Sequence, residues 1–237
     1  WSIRMNTIGL LKPVNVYFYN YNRLINKTIN TINLSDTLSV MEFVSYFQQP
    51  IHAAFKWESD FITSDSKVEI SGNKVSVKVE VKKPKLWWPR GQGEANLYSD
   101  KWKFHLGKHD VVEANVQFGI RKTELIQEED EWGTSYVIKV NNRPIFCKGG
   151  DYIPQDVFPS RVKDEAVLSM VNTMKESNFN MVRVWGGGYY PDDIFYKACD
   201  ENGIMVWQDL MFACSMYPGD SLFLSSVKNE LEYQLPR

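Results

Sequence analysis

The sequence predicts a multidomain protein that is all-β in its first part and α/β in its second. Two observations support this prediction. From Leu34 to about Gln127, apolar and polar residues alternate with a period of two, which is typical of half-buried antiparallel strands. Beyond about Ile145, short apolar runs alternate with helical patterns, and strands that are joined by helices form parallel sheets.

Composition and charge fit a globular protein and exclude several classes of partner. The 237 residues are 43% hydrophobic and 24% charged, with a net charge of −2, so we predict no nucleic-acid partner and no membrane partner. No apolar run approaches the roughly 20 residues of a membrane-spanning helix. Cys147, Cys199 and Cys214 lack the spacing of metal ligands, and the triglycine at 186–188 lacks that of a phosphate loop. The sequence therefore predicts neither a metal site nor a cofactor.

The N-terminal residues predict a strand followed by a connecting segment. Residues 1–21 end in the alternating run VNVYFYNY, and residues 22–33 are rich in Asn and Thr. The chain opens on Trp1 without an initiator Met or a leader, so we expect an excised or incomplete piece of a longer protein. Two acceptor triplets for N-glycosylation follow, Asn26-Lys27-Thr28 and Asn33-Leu34-Ser35.

The all-β part predicts a two-layered sandwich. Its clearest strand has valines at 75, 77, 79 and 81 that alternate with polar residues, and Ser71-Gly72-Asn73 before it is a hairpin signal. Alternation recurs through Trp102, Phe104 and Leu106, and a further strand is predicted at 112–118. About seven short strands with regular turns are typical of an immunoglobulin-like β-sandwich, although this one lacks a cysteine pair.

The α/β part predicts an ordered series of strands and helices. A hairpin that turns at Asn141-Asn142 leads into a first strand near 145–149, and further strands are expected at 181–185 and 204–207. Helices are predicted at 160–177, capped by Ser160, from Asp192 or Asp193 to Asn202, and from Asp220 onward. Gly203 ends the second helix in a left-handed conformation. This order gives three of the eight units of a (β/α)8 barrel.

Four motifs carry a family resemblance. RVWGGGYYPDDIFYKACDENGIMVWQDLMFACSMYP resembles the barrel signature of β-mannosidases in glycoside hydrolase family two, and WWPRGQGEANLY resembles a motif of their preceding sandwich domain. FGIRKTELIQ and IFCKGGDYIPQDVF follow in the order of that family. The resemblance implies that residues 1–22 end a jelly-roll domain. It also implies that 23–127 form an immunoglobulin-like sandwich and that 128–237 begin a TIM barrel, truncated after three βα units.

The resemblance also implies an activity and a setting. Members of this family cleave terminal β-linked mannose from oligosaccharides with retention, and animal members are lysosomal glycoproteins. We therefore expect an oligosaccharide substrate, the remainder of its own polypeptide chain as a partner, and a lysosomal or secreted location if the source is an animal. A retaining glycosidase needs two carboxylates about 5–5.5 Å apart. The family places these glutamates on the fourth and seventh barrel strands, and its WxxxNE-like motif is absent from these 237 residues.

We therefore predict no catalytic residue in this segment and no activity of the segment alone. Two alternatives stay open. One is a fragment of a sister β-galactosidase or β-glucuronidase, and the other is a non-catalytic sandwich that binds carbohydrate or protein. The second alternative leaves the βα series from Lys148 to Asp209 unexplained.

Five residues are candidates for substrate binding, because active sites lie at the carboxyl ends of parallel strands. Trp185 is either a platform for a sugar ring or a core residue. Arg183 either holds the nucleophile, as in related barrels, or forms an ion pair with Asp209 or Asp151. Asp209 either accepts hydrogen bonds from sugar hydroxyls or caps the next turn. Asp151 lies where family members usually carry Asn. Asp156 binds substrate or forms a local turn.

Overall fold

The computed structural model describes residues 14, 16, 18–19, 22–51, 55–107 and 110–235. These residues form two compact units. The β unit comprises Phe18–Trp88 and Glu94–Ile145, and the α/β unit comprises Pro89–Gly93 and Phe146–Gln234. The predicted jelly-roll tail lies mostly outside the described residues.

The described residues of the β unit form twelve strands in antiparallel sheets. In chain order they are β1 Leu24–Leu34, β2 Leu38–Phe47, β3 Lys56–Glu58, β4 Val68–Ser71, β5 Lys74–Lys82, β6 Tyr98–His105, β7 Val111–Phe118, β8 Thr123–Ile126, β9 Glu129–Asp130, β10 Gly133–Thr134, β11 Val137–Val140 and β12 Arg143–Ile145. The two largest sheets have the strand orders β1-β2-β5-β4 and β3-β6-β7, and smaller ones have the orders β12-β11-β8 and β10-β9.

One hydrophobic core is shared by the two largest sheets. Val75, Val77 and Val79 of β5 are buried, as the alternation predicted, and face aromatic residues of the other sheet. The ring of Phe43 lies 5.2 Å from that of Trp102, centroid to centroid. The unit is therefore β-rich with a common core, and its immunoglobulin type stays a prediction.

A buried carboxylate ties one loop to this core. Asp100, on β6, is 6% exposed and accepts hydrogen bonds through both carboxylate oxygens. Its Oδ2 accepts from Ser59 Oγ at 2.6 Å and from the indole Nε1 of Trp102 at 3.0 Å. Its Oδ1 accepts from the backbone N–H groups of Asp60 at 3.1 Å and Lys101 at 2.8 Å. Four donors satisfy this acceptor, as a buried polar group requires.

The predicted hairpin at Asn141-Asn142 is confirmed. Both residues have positive φ, 51° and 65°, which is the conformation that a tight two-residue hairpin turn requires. Asn141 accepts from the backbone N–H of Lys122 and donates to the backbone carbonyl of Trp87.

The two units divide between Ile145 and Phe146, whereas the sequence placed the domain boundary at residue 128. The three-domain division stays a prediction.

The α/β unit is built on a three-stranded parallel sheet with the order β13-β14-β15. Its strands are β13 Gly149–Tyr152, β14 Met181–Val184 and β15 Met205–Gln208, and its helices are α1 Asp164–Glu176, α2 Asp193–Asn202 and α3 Ser221–Gln234. The parallel pairing confirms the βαβ prediction. A barrel of eight such units stays a prediction, because three strands do not define one.

Helix and strand share a second hydrophobic core. Val182 and Val184 of β14 pack with Phe195 and Cys199 of α2. Burial raises the pKa of the Cys199 thiol to about 12, so this cysteine behaves as a small apolar residue, as predicted. Gly203 has a φ of 69° and ends α2 in the left-handed conformation that the sequence indicated.

The first helix differs from its prediction. α1 begins at Asp164, and residues 159–161 form a separate 3-10 turn, so Ser160 does not cap this helix. The buried positions of α1 are Val167, Val171 and Met174, whereas Met170 is exposed. Val167, Val171 and Met174 are four and three residues apart, which places them on one face of the helix.

Candidate functional site

Strand register brings three of the polar and aromatic side chains together at the carboxyl edge of the parallel sheet. Asp151 on β13 pairs with Arg183 on β14, and Arg183 pairs with Trp207 on β15. Because successive side chains point to opposite faces of a strand, this row lies on the face opposite Val182 and Val184, which are buried against the helices. The row occupies the position at which parallel sheets hold ligands.

Arg183 binds two carboxylates, and it binds them unequally. Its Nε donates to Asp209 Oδ1 at 3.1 Å and its Nη2 donates to Asp209 Oδ2, so this pair is bidentate. Its Nη1 donates to Asp151 Oδ1 at 3.1 Å. Hydrogen bonds to Asp209 first, and then to Asp151, raise the pKa of the Arg183 guanidinium above its ordinary value. The geometry therefore matches the ion-pair alternative for Arg183, which binds both Asp209 and Asp151.

The two carboxylates differ in what they can still accept. Asp209 also accepts from the backbone N–H of Gly186 at 3.1 Å, and its side chain is 20% exposed. Both of its oxygens are therefore occupied by N–H donors. The side chain of Asp151 is 54% exposed and its only hydrogen bond among the described residues is the one to Arg183. Asp151 can therefore still accept a hydrogen bond from a ligand hydroxyl.

The triglycine loop follows β14 directly. The backbone N–H of Trp185 donates to the carbonyl of Tyr152 at 3.1 Å, and the N–H of Gly188 donates back to the carbonyl of Trp185 at 3.2 Å, which closes a tight turn. A Cβ atom on Gly186 would lie 2.4 Å from the backbone oxygen of Leu210. Glycine is therefore required at position 186 for the loops after β14 and β15 to approach each other. Trp185 is half-buried.

Two residues that were not candidates for substrate binding, Gln208 and Tyr190, also interact near this edge. Gln208 accepts from the Tyr196 hydroxyl at 2.6 Å and donates to the backbone carbonyl of Asp209 at 2.8 Å, which links β15 to α2. Burial, and then the negative charge of Glu230, raises the pKa of Tyr190. The signal for Gln208 was its place between Trp207 and Asp209, whereas nothing local connects Tyr190 with α3.

Asp156 makes its hydrogen bonds with its own loop. Arg161 donates to it in bidentate fashion, from Nε at 3.0 Å and from Nη2 at 2.6 Å, and the N–H of Phe158 donates at 2.7 Å. These bonds, with Arg161 first, lower the pKa of Asp156. The geometry therefore matches the local-turn alternative, and a substrate role for Asp156 stays a prediction.

Two further features concern the part of the chain that the structure describes: clusters of metal ligands and long apolar helices. Within it, no three His, Cys, Asp or Glu side chains gather in a way that suits a metal ion. None of the helices in the described ranges combines the length and the apolar character that crossing a bilayer demands.

Comparison with known proteins agrees with this architecture. Residues 50–121 match the family model "Glycosyl hydrolases family 2". The chain is 38% identical to a β-mannosidase B of Emericella nidulans over 168 residues, which are 71% of the chain and 20% of that protein. It is 37% identical to a β-mannosidase of Capra hircus over 74% of the chain and 21% of that protein. The chain thus spans about a fifth of the length of these curated relatives.

Solved structures show the same fold. A β-D-mannosidase from Dictyoglomus thermophilum superimposes with a TM-score of 0.74 at 38% identity, over 92% of this chain and 28% of that one. A β-glucuronidase from Parabacteroides merdae superimposes with a TM-score of 0.68 at 17% identity, over 91% of this chain and 27% of that one, which shows the fold alone. A β-rich unit and a parallel βα unit with polar residues at its carboxyl edge are a segment of a glycoside hydrolase architecture. The chain belongs to glycoside hydrolase family 2.

Proposed function

We propose that this chain is a segment of a retaining, exo-acting β-mannosidase that removes terminal β-D-mannose from oligosaccharides. The main observation behind this proposal is the carboxyl edge of the parallel sheet. There, Arg183 binds Asp151 and Asp209, and Trp185 follows at the end of β14. This proposal draws support from the identity of 37–38% to proteins named β-mannosidase, over about seven-tenths of the chain. In it, the (β/α)8 barrel is completed by residues outside these 237.

Within this proposal, the segment supplies one side of the sugar pocket. The Trp185 indole offers an apolar face on which a pyranose ring can stack. Asp151 accepts a hydrogen bond from a sugar hydroxyl through the oxygen that Arg183 leaves available. Asp209 serves as a positioning residue, because its oxygens already accept three N–H bonds from Arg183 and Gly186. Direct binding of a sugar hydroxyl by Asp209 stays a prediction as well, because a carboxylate can accept about four hydrogen bonds and Asp209 accepts three.

Catalysis in this proposal belongs to carboxylates outside the segment. The two glutamates that a retaining mechanism needs must lie about 5–5.5 Å apart across the glycosidic bond. Glu230 and Glu232 lie on α3, and Glu232 pairs with Lys228 one turn earlier, as expected of a solvated helix face. The 237-residue chain therefore provides binding and positioning groups and is inactive alone.

A secreted or lysosomal route fits the acceptor triplets on β1. This strand lies at the edge of its sheet, and Asn33 is exposed near the hairpin that joins β1 to β2. The exposed side chains of Asn33 and Ser35, at the end of an edge strand, are accessible to glycosylation in the secretory pathway. Analysis of the glycan on the natural protein tests this location.

The experiment that tests the function uses the complete enzyme that carries this segment, with aryl β-mannosides as substrates. Replacing Trp185 by Ala removes the stacking face, which is worth about 1–3 kcal/mol. Since each 1.36 kcal/mol is tenfold, kcat/KM should fall roughly tenfold to hundredfold. Trp132→Ala is the matched control, because Trp132 is 88% exposed on a hairpin of the β unit.

Two results would contradict the proposal. One is a complete enzyme that cleaves aryl β-galactosides or β-glucuronides in preference to β-mannosides. The other is a Trp185→Ala variant whose kcat/KM equals that of Trp132→Ala while its unfolding temperature drops, because that pattern identifies Trp185 as core packing.

A further inference from the structure

The three glycines after β14 face three different neighbours. A Cβ atom on Gly186 would meet a backbone oxygen, which no side-chain rotation can relieve. A Cβ atom on Gly188 would lie 3.0 Å from two ring atoms of Pro154, so a shift of a few tenths of an ångström accommodates it. Position 187 differs from both, because the obstacle there is the side chain of Trp185.

The contact between Gly187 and the indole leaves no room for a methyl group. A Cβ atom on Gly187 would lie 2.0 Å from Cζ2 and 2.1 Å from Cη2 of Trp185. Carbon atoms in contact are normally about 3.5–4.0 Å apart, so the ring must move by well over one ångström. Side chains occupy separate rotamer wells, and the indole therefore has to leave its present orientation rather than adjust within it.

We propose that Gly187 is a positioning residue that fixes the orientation of the Trp185 indole at the carboxyl edge of β14. The indole folds back over the turn that the Gly188 N–H closes onto the Trp185 carbonyl, and the bare Cα of Gly187 supports its six-membered ring. The effect of this orientation on catalysis rests on the proposed function, whereas the orientation itself does not.

Ring orientation matters for stacking, because only the face of the indole presents its π-system to the apolar face of a sugar. A displacement of about 1 Å at a substrate-positioning group can cost on the order of a hundredfold in rate. Gly187→Ala should therefore act on the reaction through Trp185, without touching Asp151, Arg183 or Asp209.

Kinetics of the complete enzyme test this coupling. Gly187→Ala should lower kcat/KM for an aryl β-mannoside roughly tenfold or more, mostly through KM, because stacking binds the sugar. Gly188→Ala is the matched control and should stay within about threefold. In a Trp185→Ala background, Gly187→Ala should have no further effect, since the obstructing ring is gone. Full additivity of the two substitutions overturns the proposal.

Spectroscopy of the 237-residue chain tests the orientation without any assay of activity. The indole N–H resonance of Trp185, assigned by its loss in Trp185→Ala, should move in Gly187→Ala and stay in place in Gly188→Ala. An unmoved resonance in Gly187→Ala overturns the proposal. If Gly187→Ala does not fold, the Gly187→Ala/Trp185→Ala double variant must recover folded protein, and its failure to do so overturns the proposal as well. A complete enzyme without β-mannosidase activity refutes the proposed function, and the resonance then decides the role of Gly187 independently.

Discussion

Replacement of Asp100 should unfold the β unit more readily than any exposed acidic substitution. This carboxylate is buried and accepts four hydrogen bonds, two of which join the loop at Ser59 and Asp60 to β6, while the other two come from β6 itself. Asp100→Ala leaves four donors without an acceptor, and the indole N–H of Trp102 among them belongs to a fully buried ring. A buried donor without a partner costs about 1–3 kcal/mol.

The loss in the free energy of unfolding depends on how many of the four donors can bind water instead. Ser59 lies in a part-buried loop, where its hydroxyl can turn to another acceptor, whereas the Trp102 N–H cannot turn. Counting the indole fully and the two backbone N–H groups in part, we expect Asp100→Ala to lower the free energy of unfolding by about 3–5 kcal/mol. Asp100→Asn should cost less, about 2–3 kcal/mol, because its amide oxygen satisfies one pair of donors while its NH2 group faces the other pair.

Urea unfolding followed by near-ultraviolet circular dichroism measures this loss, since the signal reports the packed tryptophans. With a slope of about 1–2 kcal/mol per molar for a unit of this size, the midpoint for Asp100→Ala should fall by roughly 1.5–5 M. Glu80→Ala is the control, because Glu80 is an exposed carboxylate on β5, and it should change stability by less than about 0.5 kcal/mol. An Asp100→Ala midpoint equal to that of Glu80→Ala would refute the reasoning.

Two further predictions concern the α/β unit. The purified 237-residue chain should not hydrolyse an aryl β-mannoside, because the WxxxNE-like motif expected to carry the acid/base glutamate is absent from its sequence, and turnover that co-purifies with the chain through successive columns would contradict this. Burial raises the pKa of Tyr152 to about 12, above the value of about 10 in an unfolded chain. The unfolded state therefore loses this proton first, so the free energy of unfolding should decline as pH rises from about 10 towards 12. Denaturation at several alkaline pH values measures the decline, Tyr152→Phe should reduce it, and an unchanged slope in that variant would argue against the assignment.

Periodicity alone predicted most of the secondary structure, for a local reason. Valines at every second position of β5 bury one face of a strand wherever that strand is placed, so the pattern is readable without a partner. Gly203 and Asn141-Asn142 were equally readable, because positive φ is a property of a residue and its immediate neighbours. The start of α1 was predicted wrongly, since a serine four residues ahead of a helix resembles a cap until the 3-10 turn is seen.

The hydrogen-bond partners of side chains could not be predicted in the same way, because they depend on distances that are set only when the chain folds. The sequence left two roles open for Arg183, namely an ion pair with Asp209 or Asp151 and a role in holding the nucleophile. Strand register and the loop after β15 then gave it a bidentate bond to Asp209 and a single bond to Asp151. That inequality decides which carboxylate keeps an oxygen for a ligand.

The sequence by itself determined the family, the order of strands and helices in the α/β unit, and the strand ends at which polar residues gather, because these depend on motifs and local periodicity. It was wrong about residues 22–33, which it predicted as a connecting segment, because strand β1 at Leu24–Leu34 is polar and forms by pairing with β2. Tertiary structure decided the four donors around Asp100, the three N–H donors around Asp209 and the contact of Gly187 with the Trp185 ring. Each of these depends on the placement of atoms to within about an ångström, across loops or between strands, because hydrogen bonding and steric exclusion are short-ranged.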